Sequence, residues 1–173
     1  MKTVLITGIS SGIGLATAES FLSQGHTVIG SVRDLQTAAD LKAKYGHQLI
    51  LWKCNLLNLS EIDAIHSVLR ENKIMQIDVL VNNAGIASPG PIQYQDFSEI
   101  QNMMTTNVIA VMKLTQIMIS YLIPTKGRII NISSISGVGG TPFLGIYCAS
   151  KHAVEGFSKS LRREMKIHGI KVS

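Results

Sequence analysis

Thr7-Gly8-Ile9-Ser10-Ser11-Gly12-Ile13-Gly14 stands between a short apolar run and an amphipathic helical pattern near the start of the chain. Gly8 suits a tight exit from a strand, Gly12 lets a ligand approach the backbone, and Gly14 lets a helix pack against a sheet. The N-terminus of such a helix offers free N–H groups and a positive dipole end to a pyrophosphate. The stretch therefore predicts a strand, a glycine loop and a helix that bind a dinucleotide, with a plain strand-to-helix turn as the alternative.

Apolar runs and helical patterns alternate from this loop to the end of the chain. The predicted strands cover residues 3–7, 27–32, 49–54, 78–82 and 127–133, with the start of a sixth at 170–172. The predicted helices cover residues 13–24, 35–45, 60–72, 97–122 and 146–168, and Ser60 is the expected cap of the third. Short buried strands that each precede a helix are typical of the α/β class. We therefore expect a doubly wound, Rossmann-type parallel sheet with helices on both faces, whose ligand binds at the carboxyl ends of the strands.

Composition narrows the class of protein. The chain has 173 residues, 46% of them hydrophobic and 16% charged, which suits one folded domain rather than a disordered chain. The most apolar window, residues 108–123, contains Lys113 and Gln116 and is shorter than the ~20 residues of a membrane-spanning helix. The apolar start reaches Gly8 too early for a signal peptide, so we expect a cytoplasmic protein.

Charge and cysteine content exclude further classes. The net charge of +5 is mild, and aromatic residues make up only 5%, which argues against nucleic acid as a partner. A basic balance fits either a solvated surface or a polyanionic small ligand. Cys54 and Cys148 lack disulfide or metal spacing and are expected to be buried thiols. No metal site is predicted.

The end of the second strand indicates which dinucleotide is bound. An NAD site usually has an acidic residue there that binds the ribose 2′-hydroxyl, but this chain has Val32 at that position. Arg33 follows, and a guanidinium suits the 2′-phosphate of NADP, unless it is only a solvated surface side chain. Asp34 comes too late for the NAD role and is expected to cap the next helix. The sequence thus favours NADP over NAD, with glycine-loop contacts from Gly8, Ser10, Ser11, Gly12, Ile13 and Gly14.

Residues suited to proton transfer follow the fourth and fifth strands. Asn82-Asn83-Ala84-Gly85 closes one strand, and Asn131-Ile132-Ser133-Ser134 closes the other. Tyr147 and Lys151 lie four positions apart, on one face of the last helix. A phenol beside an ammonium favours the phenolate and exchanges a proton with an alkoxide or alcohol, while a serine hydroxyl holds the oxygen. Alone, the Tyr/Lys pair is an ordinary amphipathic pattern; its conjunction with the strand-end residues indicates alcohol or carbonyl chemistry.

These motifs together resemble the short-chain dehydrogenase/reductase family over residues 3–173. The resemblance implies an NADP-dependent oxidoreductase that interconverts an alcohol and a carbonyl compound, as a homodimer or homotetramer in full-length form. It assigns Tyr147 as general acid/base, Lys151 to favour the phenolate and bind the nicotinamide ribose, and Ser134 to orient the substrate oxygen. Asn107 is the implied fourth member, holding a water that links Lys151 to solvent, with a solvent-facing helical residue as the alternative. Asn83, Ala84 and Gly85 are expected to run along the cofactor.

The chain departs from the family pattern in two places. Asn55 stands where an aspartate usually accepts a hydrogen bond from adenine, so we expect altered adenine contacts but retained binding. The chain also ends as the sixth strand begins. We expect residues 1–173 to be a single NAD(P)-binding domain, a fragment that lacks most of strand six and the usual C-terminal substrate lid.

Finer and alternative hypotheses remain open. The stretches at residues 32–37 and 147–157 resemble the estradiol 17β-dehydrogenase and retinol dehydrogenase branch, which implies a bulky apolar alcohol or ketone as substrate. One alternative is a non-catalytic dinucleotide-binding or sensor protein on the same fold. An epimerase or dehydratase on a related scaffold is another, since such enzymes also use a Tyr/Lys pair.

Overall fold

The computed structural model describes all residues from Met1 to Ser173 and has one parallel sheet at its centre. The six strands lie in the order β3-β2-β1-β4-β5-β6. They are β1 Thr3–Ile6, β2 Thr27–Val32, β3 Leu49–Lys53, β4 Val79–Asn82, β5 Arg128–Asn131 and β6 Lys171–Val172. Every neighbouring pair is parallel. The strand order reverses between β1 and β4, and this switch point is where ligands bind in such sheets. The predicted fold class is confirmed.

Helices cover both faces of the sheet. They are α1 Gly12–Ser23, α2 Ala39–Tyr45, α3 Leu59–Asp63, α4 Ile65–Glu71, α5 Phe97–Met104, α6 Ala110–Leu122 and α7 Gly145–Glu164. Successive side chains of β1 point to opposite faces, so Val4 and Ile6 pack with α1 and α2, whereas Leu5 packs with α4, α6 and α7. All three β1 side chains are fully buried, which explains why the strands are apolar runs without polar alternation.

Three predicted helices are interrupted in the structure, and the one predicted at residues 35–45 begins with a 3₁₀ turn at residues 35–38 before α2. The helix predicted at residues 97–122 is divided by a π turn at Thr105–Ile109, where β-branched side chains weaken the α-helix and Asn107 turns inward. The helix predicted at 60–72 begins at Leu59 and is interrupted at Ala64. Its cap is Asn58 rather than Ser60, because the Asn58 side-chain oxygen accepts the Ser60 N–H at 3.2 Å.

The last helix is shorter than predicted, and its end is closed by glycine. The α-helix stops at Glu164, and a 3₁₀ turn at Met165–His168 follows. Gly169 then adopts a φ of +71°, the left-handed conformation that commonly ends helices and that glycine adopts without strain. None of the helices has both the length and the apolar character needed to cross a membrane.

Candidate functional site

The glycine loop between β1 and α1 depends on glycine at three positions for different reasons. Gly8 and Gly12 have φ values of +71° and +57°, in the left-handed region that other residues rarely adopt. A Cβ on Gly14 would collide with the Gly8 carbonyl oxygen and the Asn83 side-chain amide. Gly14 is therefore needed where the first turn of α1 approaches the loop's own backbone, a contact that was not predicted from the sequence.

The first turn of α1 has free hydrogen-bond donors. Ser11 is the N-cap residue, but its side chain makes no capping hydrogen bond, and the first turn contains no acidic residue. The first backbone bond of the helix runs from the Leu15 N–H to the Ser11 carbonyl. Gly12 and Ile13 are exposed, so their N–H groups and the positive end of the helix dipole are available to an anion.

A set of hydrogen bonds between the ends of β1 and β4 holds the loop in place, and these bonds were not predicted from the sequence. The Thr7 hydroxyl oxygen accepts hydrogen bonds from the Asn83 and Ala84 N–H groups, both at 3.0 Å. The Asn83 side-chain amide donates to the Thr7 and Gly8 carbonyls at 2.9 and 3.0 Å. Asn83 thus lines the site as predicted, but its side chain is used to fix the loop. Thr7 could have been recognised from the sequence, because it is a polar residue directly after a buried apolar strand.

A cleft of about 320 Å³ opens along the carboxyl ends of β1, β2 and β4. Eight of the predicted cofactor contacts line it: Gly8, Ser10, Ser11, Arg33, Asn55, Asn83, Ala84 and Gly85. The cleft has other lining residues that were not predicted from the sequence as cofactor contacts: Ser31, Val32, Cys54, Leu56, Leu57, Ile86 and Thr106. Leu56 and Leu57 directly follow the third strand, so their position alone could have identified them. Gly12, Ile13 and Gly14 lie at the adjoining turn rather than in the cleft wall.

Asp34 caps the next turn as predicted, and Arg33 beside it is unpaired. The Asp34 carboxylate accepts the Gln36 N–H at 3.0 Å and caps the 3₁₀ turn at Leu35–Ala38. Arg33 is exposed at the cleft and forms no hydrogen bond or ion pair with the rest of the chain. Its guanidinium is therefore free to bind an anion in the cleft.

Asn55 is held in a turn at the far end of the cleft. Its side-chain oxygen accepts the Leu57 N–H at 3.2 Å, and its backbone N–H donates to the Glu61 carboxylate at 2.7 Å. A carbonyl oxygen has two lone pairs, so one acceptor position and the side-chain amide group remain free. Neighbouring Cys54 is buried, and burial raises the pKa of its thiol to about 12, so this cysteine stays neutral. Cys148 is buried as well, as predicted for both cysteines.

Lys151 is a buried cation on α7. Its ammonium donates to the Ile132 carbonyl at 2.8 Å and lies 5.7 Å from the centre of the Tyr147 ring. The residue is only 5% exposed, and this burial lowers the pKa of Lys151. An incompletely compensated buried cation favours a nearby anion such as a phenolate.

Asn107 lies in the π turn and is 1% exposed, which excludes the solvent-facing alternative. Its side-chain oxygen accepts the Ile86 N–H at 2.9 Å, and its amide donates to the Ile86 carbonyl at 2.8 Å. The same amide donates to the Ser150 hydroxyl at 3.1 Å. Asn107 therefore joins the loop after β4 to α7, while its contact with water stays a prediction.

Ser134 begins the 3₁₀ turn at Ile135–Gly137, which packs against α7. Its hydroxyl oxygen accepts the Ser136 N–H at 3.2 Å, and the residue is half-buried. Neighbouring Ser133 is directed differently, with a buried hydroxyl that has no hydrogen-bond partner.

The four candidate catalytic residues thus lie on three packed elements: the π turn, the turn after β5, and α7. A buried ammonium, a phenol and a serine hydroxyl arranged on such elements suit proton exchange with an alcohol or carbonyl oxygen. No group of His, Cys, Asp or Glu side chains suited to a metal ion occurs in the structure.

Comparisons with known proteins agree with this geometry. The family model described as short chain dehydrogenase matches residues 2–173. The chain is 39% identical over 181 aligned residues to the NADPH-dependent 3-dehydrocapnine reductase of Ornithobacterium rhinotracheale, covering 99% of this chain and 63% of that protein. It therefore spans less than two thirds of that relative's length.

Solved structures show the same fold. A short-chain dehydrogenase from Streptomyces avermitilis superposes with a TM-score of 0.94 at 32% identity, covering 99% of this chain and 64% of that one. A metagenomic short-chain oxidoreductase in complex with NADP superposes with a TM-score of 0.92 at 30% identity, covering 99% of this chain and 80% of that one. The similarity thus extends over all six strands of this chain and the helices on both faces of the sheet.

Proposed function

The chain belongs to the short-chain dehydrogenase family, and on that premise we propose that it binds NADP and interconverts an alcohol and a carbonyl compound. The observation that carries the proposal is the buried Lys151 ammonium beside Tyr147 on α7, next to the Ser134 turn. Residues 1–173 form the dinucleotide-binding domain of the proposed enzyme. The name of the 3-dehydrocapnine reductase relative includes NADPH dependence, which supports the choice of cofactor.

The residues present fit NADP. The exposed first turn of α1 provides N–H donors for the pyrophosphate, and the unpaired Arg33 guanidinium provides charge for a 2′-phosphate. Leu56 and Leu57 give the far end of the cleft an apolar wall suited to adenine, with the free acceptor position of Asn55 beside it. Lys151 would bind the nicotinamide ribose. When bound, NADPH supplies the hydride for the reduction of a carbonyl carbon.

The chain's own residues would handle the substrate oxygen. The Ser134 hydroxyl donates a hydrogen bond to that oxygen and fixes its position. The Tyr147 hydroxyl would give its proton to the oxygen in reduction, and the Tyr147 phenolate would take a proton from the alcohol in oxidation. The Lys151 ammonium stabilises the resulting phenolate, since its charge is buried and its only hydrogen bond is to the Ile132 carbonyl.

Exposed apolar side chains in the segment between Ser134 and Tyr147 support a bulky apolar substrate. Ile135 is 85% exposed, Val138 71% and Phe143 64%, and all three lie between Ser134 and Tyr147 in the chain. Apolar side chains at the mouth of a site favour a hydrocarbon part of the substrate over a charged one. The alcohol or ketone would bind with its apolar part on this surface.

A groove of about 490 Å³ between α6 and α7 supports the predicted homo-oligomer. Its apolar lining includes Ile109, Met112, Ile119, Phe157 and Leu161. We assign this groove to a second copy of the chain, in a twofold contact of the same patch on both copies. Sedimentation of the protein and of Phe157→Asp tests the assignment, since a charge in the contact would shift a dimer to monomer.

The experiment that tests the function combines binding with turnover. NADPH and NADH affinities are measured by nicotinamide fluorescence, and oxidation of NADPH is followed with a panel of apolar ketones and aldehydes. We expect NADPH to bind more tightly than NADH, and at least one apolar ketone to be reduced. Binding without turnover across the panel would favour the non-catalytic dinucleotide-binding alternative, and the absence of binding would contradict both.

A further inference from the structure

Ser150 lies at the centre of a buried hydrogen-bond chain that the proposed mechanism does not use. The residue is 0% exposed. Its hydroxyl accepts a hydrogen bond from the Asn107 side-chain amide at 3.1 Å and donates to the Tyr147 carbonyl at 2.7 Å. The hydroxyl thus connects the π turn to the backbone of the candidate general acid/base.

The chain continues beyond Asn107 to the loop after β4. Asn107 binds both backbone groups of Ile86, and Ile86 lines the cofactor cleft. A Cβ on Gly85 would lie 3.3 Å from the Asn107 side-chain oxygen and 3.6 Å from the Lys151 ammonium. Gly85, Asn107 and Lys151 therefore meet at one point, and Ser150 ties α7 to that point.

We propose that Ser150 is a positioning residue, whose hydroxyl fixes the Tyr147 backbone relative to Asn107 and the cofactor cleft. This inference rests on the proposed function for its effect on turnover. Ser150 can position Tyr147 because its hydroxyl joins two separate elements. It accepts a hydrogen bond from Asn107 in the π turn, while Ser150 itself lies in the first turns of α7. Proton transfer depends steeply on distance, so a small displacement of Tyr147 lowers the rate without changing the groups present.

Ser158 provides a matched control on the same helix. It is 6% exposed, and its hydroxyl accepts a hydrogen bond from the Asn131 side-chain amide at 2.8 Å. Both serines thus receive a bond from a buried asparagine on another element. Only the Ser150 hydroxyl also donates a hydrogen bond to the Tyr147 carbonyl. If the serines matter only for packing, their replacement by alanine should have similar effects on turnover. If Ser150 positions Tyr147, only its replacement should lower turnover.

The experiment compares Ser150→Ala and Ser158→Ala with the parent protein in thermal stability, NADPH affinity and steady-state kinetics. We expect both variants to melt at a lower temperature and to keep the parent NADPH affinity. We expect kcat of Ser150→Ala to fall by about ten- to a hundredfold, as for other small misplacements of catalytic groups, with little change in KM. Ser158→Ala keeps the parent kcat. Equal values of kcat in the two variants would overturn the proposal.

Hydrogen exchange provides a readout that does not depend on turnover. We expect amides of residues 145–151 to exchange faster in Ser150→Ala, while those residues in Ser158→Ala exchange as in the parent. Unchanged exchange at residues 145–151 in Ser150→Ala would overturn the positioning role, even if the parent reduced no substrate. Absence of parent turnover together with faster exchange in Ser150→Ala alone would contradict the proposed reaction and support the positioning of Tyr147.

A double-mutant cycle tests whether Ser150 acts through Asn107. In an Asn107→Ala background the Ser150 hydroxyl has lost its donor partner, so adding Ser150→Ala should lower kcat by much less than it does in the parent. Additive losses would show that the two residues act independently and would contradict the proposed chain.

Discussion

The two halves of the candidate site are built in opposite ways. At the ends of β1, β2 and β3 the site consists of backbone N–H groups, left-handed glycines and the exposed, unpaired Arg33. At the ends of β4 and β5 the half-buried Ser134 and Tyr147 lie beside buried side chains that have protein partners, namely Asn107 and Lys151. The first half is open and takes its shape from local sequence, so it suits binding. The second is fixed by contacts between distant segments, which suits groups that must keep a set distance during a reaction.

The largest expected effect tests the chemical half. Tyr147→Phe removes the proposed proton donor and keeps the ring, so we expect turnover to fall by at least ~10²-fold, within the 10²–10⁴-fold range of general acid/base catalysis. NADPH affinity, measured by fluorescence titration, should be unchanged. Turnover close to the parent rate would show that Tyr147 is not the proton donor, and would contradict the proton transfer proposed for this half of the site.

The binding half is tested by Arg33→Ala. Loss of charge-assisted hydrogen bonds to a 2′-phosphate, worth about 1.5–3 kcal/mol, weakens NADPH binding roughly ten- to a hundredfold. NADH affinity should change little, because NADH has no 2′-phosphate. Arg128→Ala is the matched control. Arg128 is an exposed arginine at the first residue of β5, so it lies at the amino ends of the strands, away from the cleft at their carboxyl ends. Equal losses for NADPH and NADH in Arg33→Ala would reopen the choice of cofactor.

Gly12 and Gly14 of the loop are expected to differ in how much an added methyl group lowers stability. Gly14→Ala places a methyl group against the Gly8 carbonyl, so we expect an overpacking cost of about 1–3 kcal/mol in unfolding free energy. At Gly12 no atom lies within 4 Å of the added Cβ, so only the left-handed φ is strained and the cost is about 1–2 kcal/mol. Denaturant unfolding measures both. A Gly12→Ala variant less stable than Gly14→Ala would contradict the contact assigned to Gly14.

The smallest expected effect is a change in how the free energy of unfolding depends on pH. Burial lowers the pKa of Lys151 below its ordinary value of 10.5. Between the two values the unfolded chain holds a proton that the folded chain has lost, so this residue makes stability rise with pH across that window. Lys151→Met removes the contribution, whereas Lys171→Met, at an exposed lysine, keeps it. Melting temperatures of the three proteins from neutral pH to pH 10 check this, and parallel curves for parent and Lys151→Met would contradict it.

Features that nearby residues specify were predicted from the sequence, whereas features that depend on distant contacts were missed. Glycine spacing, strand ends and the Arg33 position act within a few residues, so local patterns specify them. The inward turn of Asn107 depends on Ile86, which lies 21 positions earlier in the chain. A π turn whose inward residue binds such a distant partner leaves no periodic signal, and so the helix at residues 97–122 was predicted without it. The roles of Thr7 and Ser150 were missed likewise, because each is defined by partners on another element.

The π turn has the form of a one-residue insertion. A π turn contains one residue more than the α-helical turn it replaces, so it takes up the extra residue without rotating the helices on either side of it. Deleting one residue within Thr105–Ile109 would let α5 and α6 join as one regular α-helix, and Met103, which is 1% exposed, would keep its place in the core. The inward position of Asn107 would be lost, and with it the hydrogen bond from the Ile86 N–H. In genetic terms, loss of one codon in this segment would disturb the candidate site more than the fold.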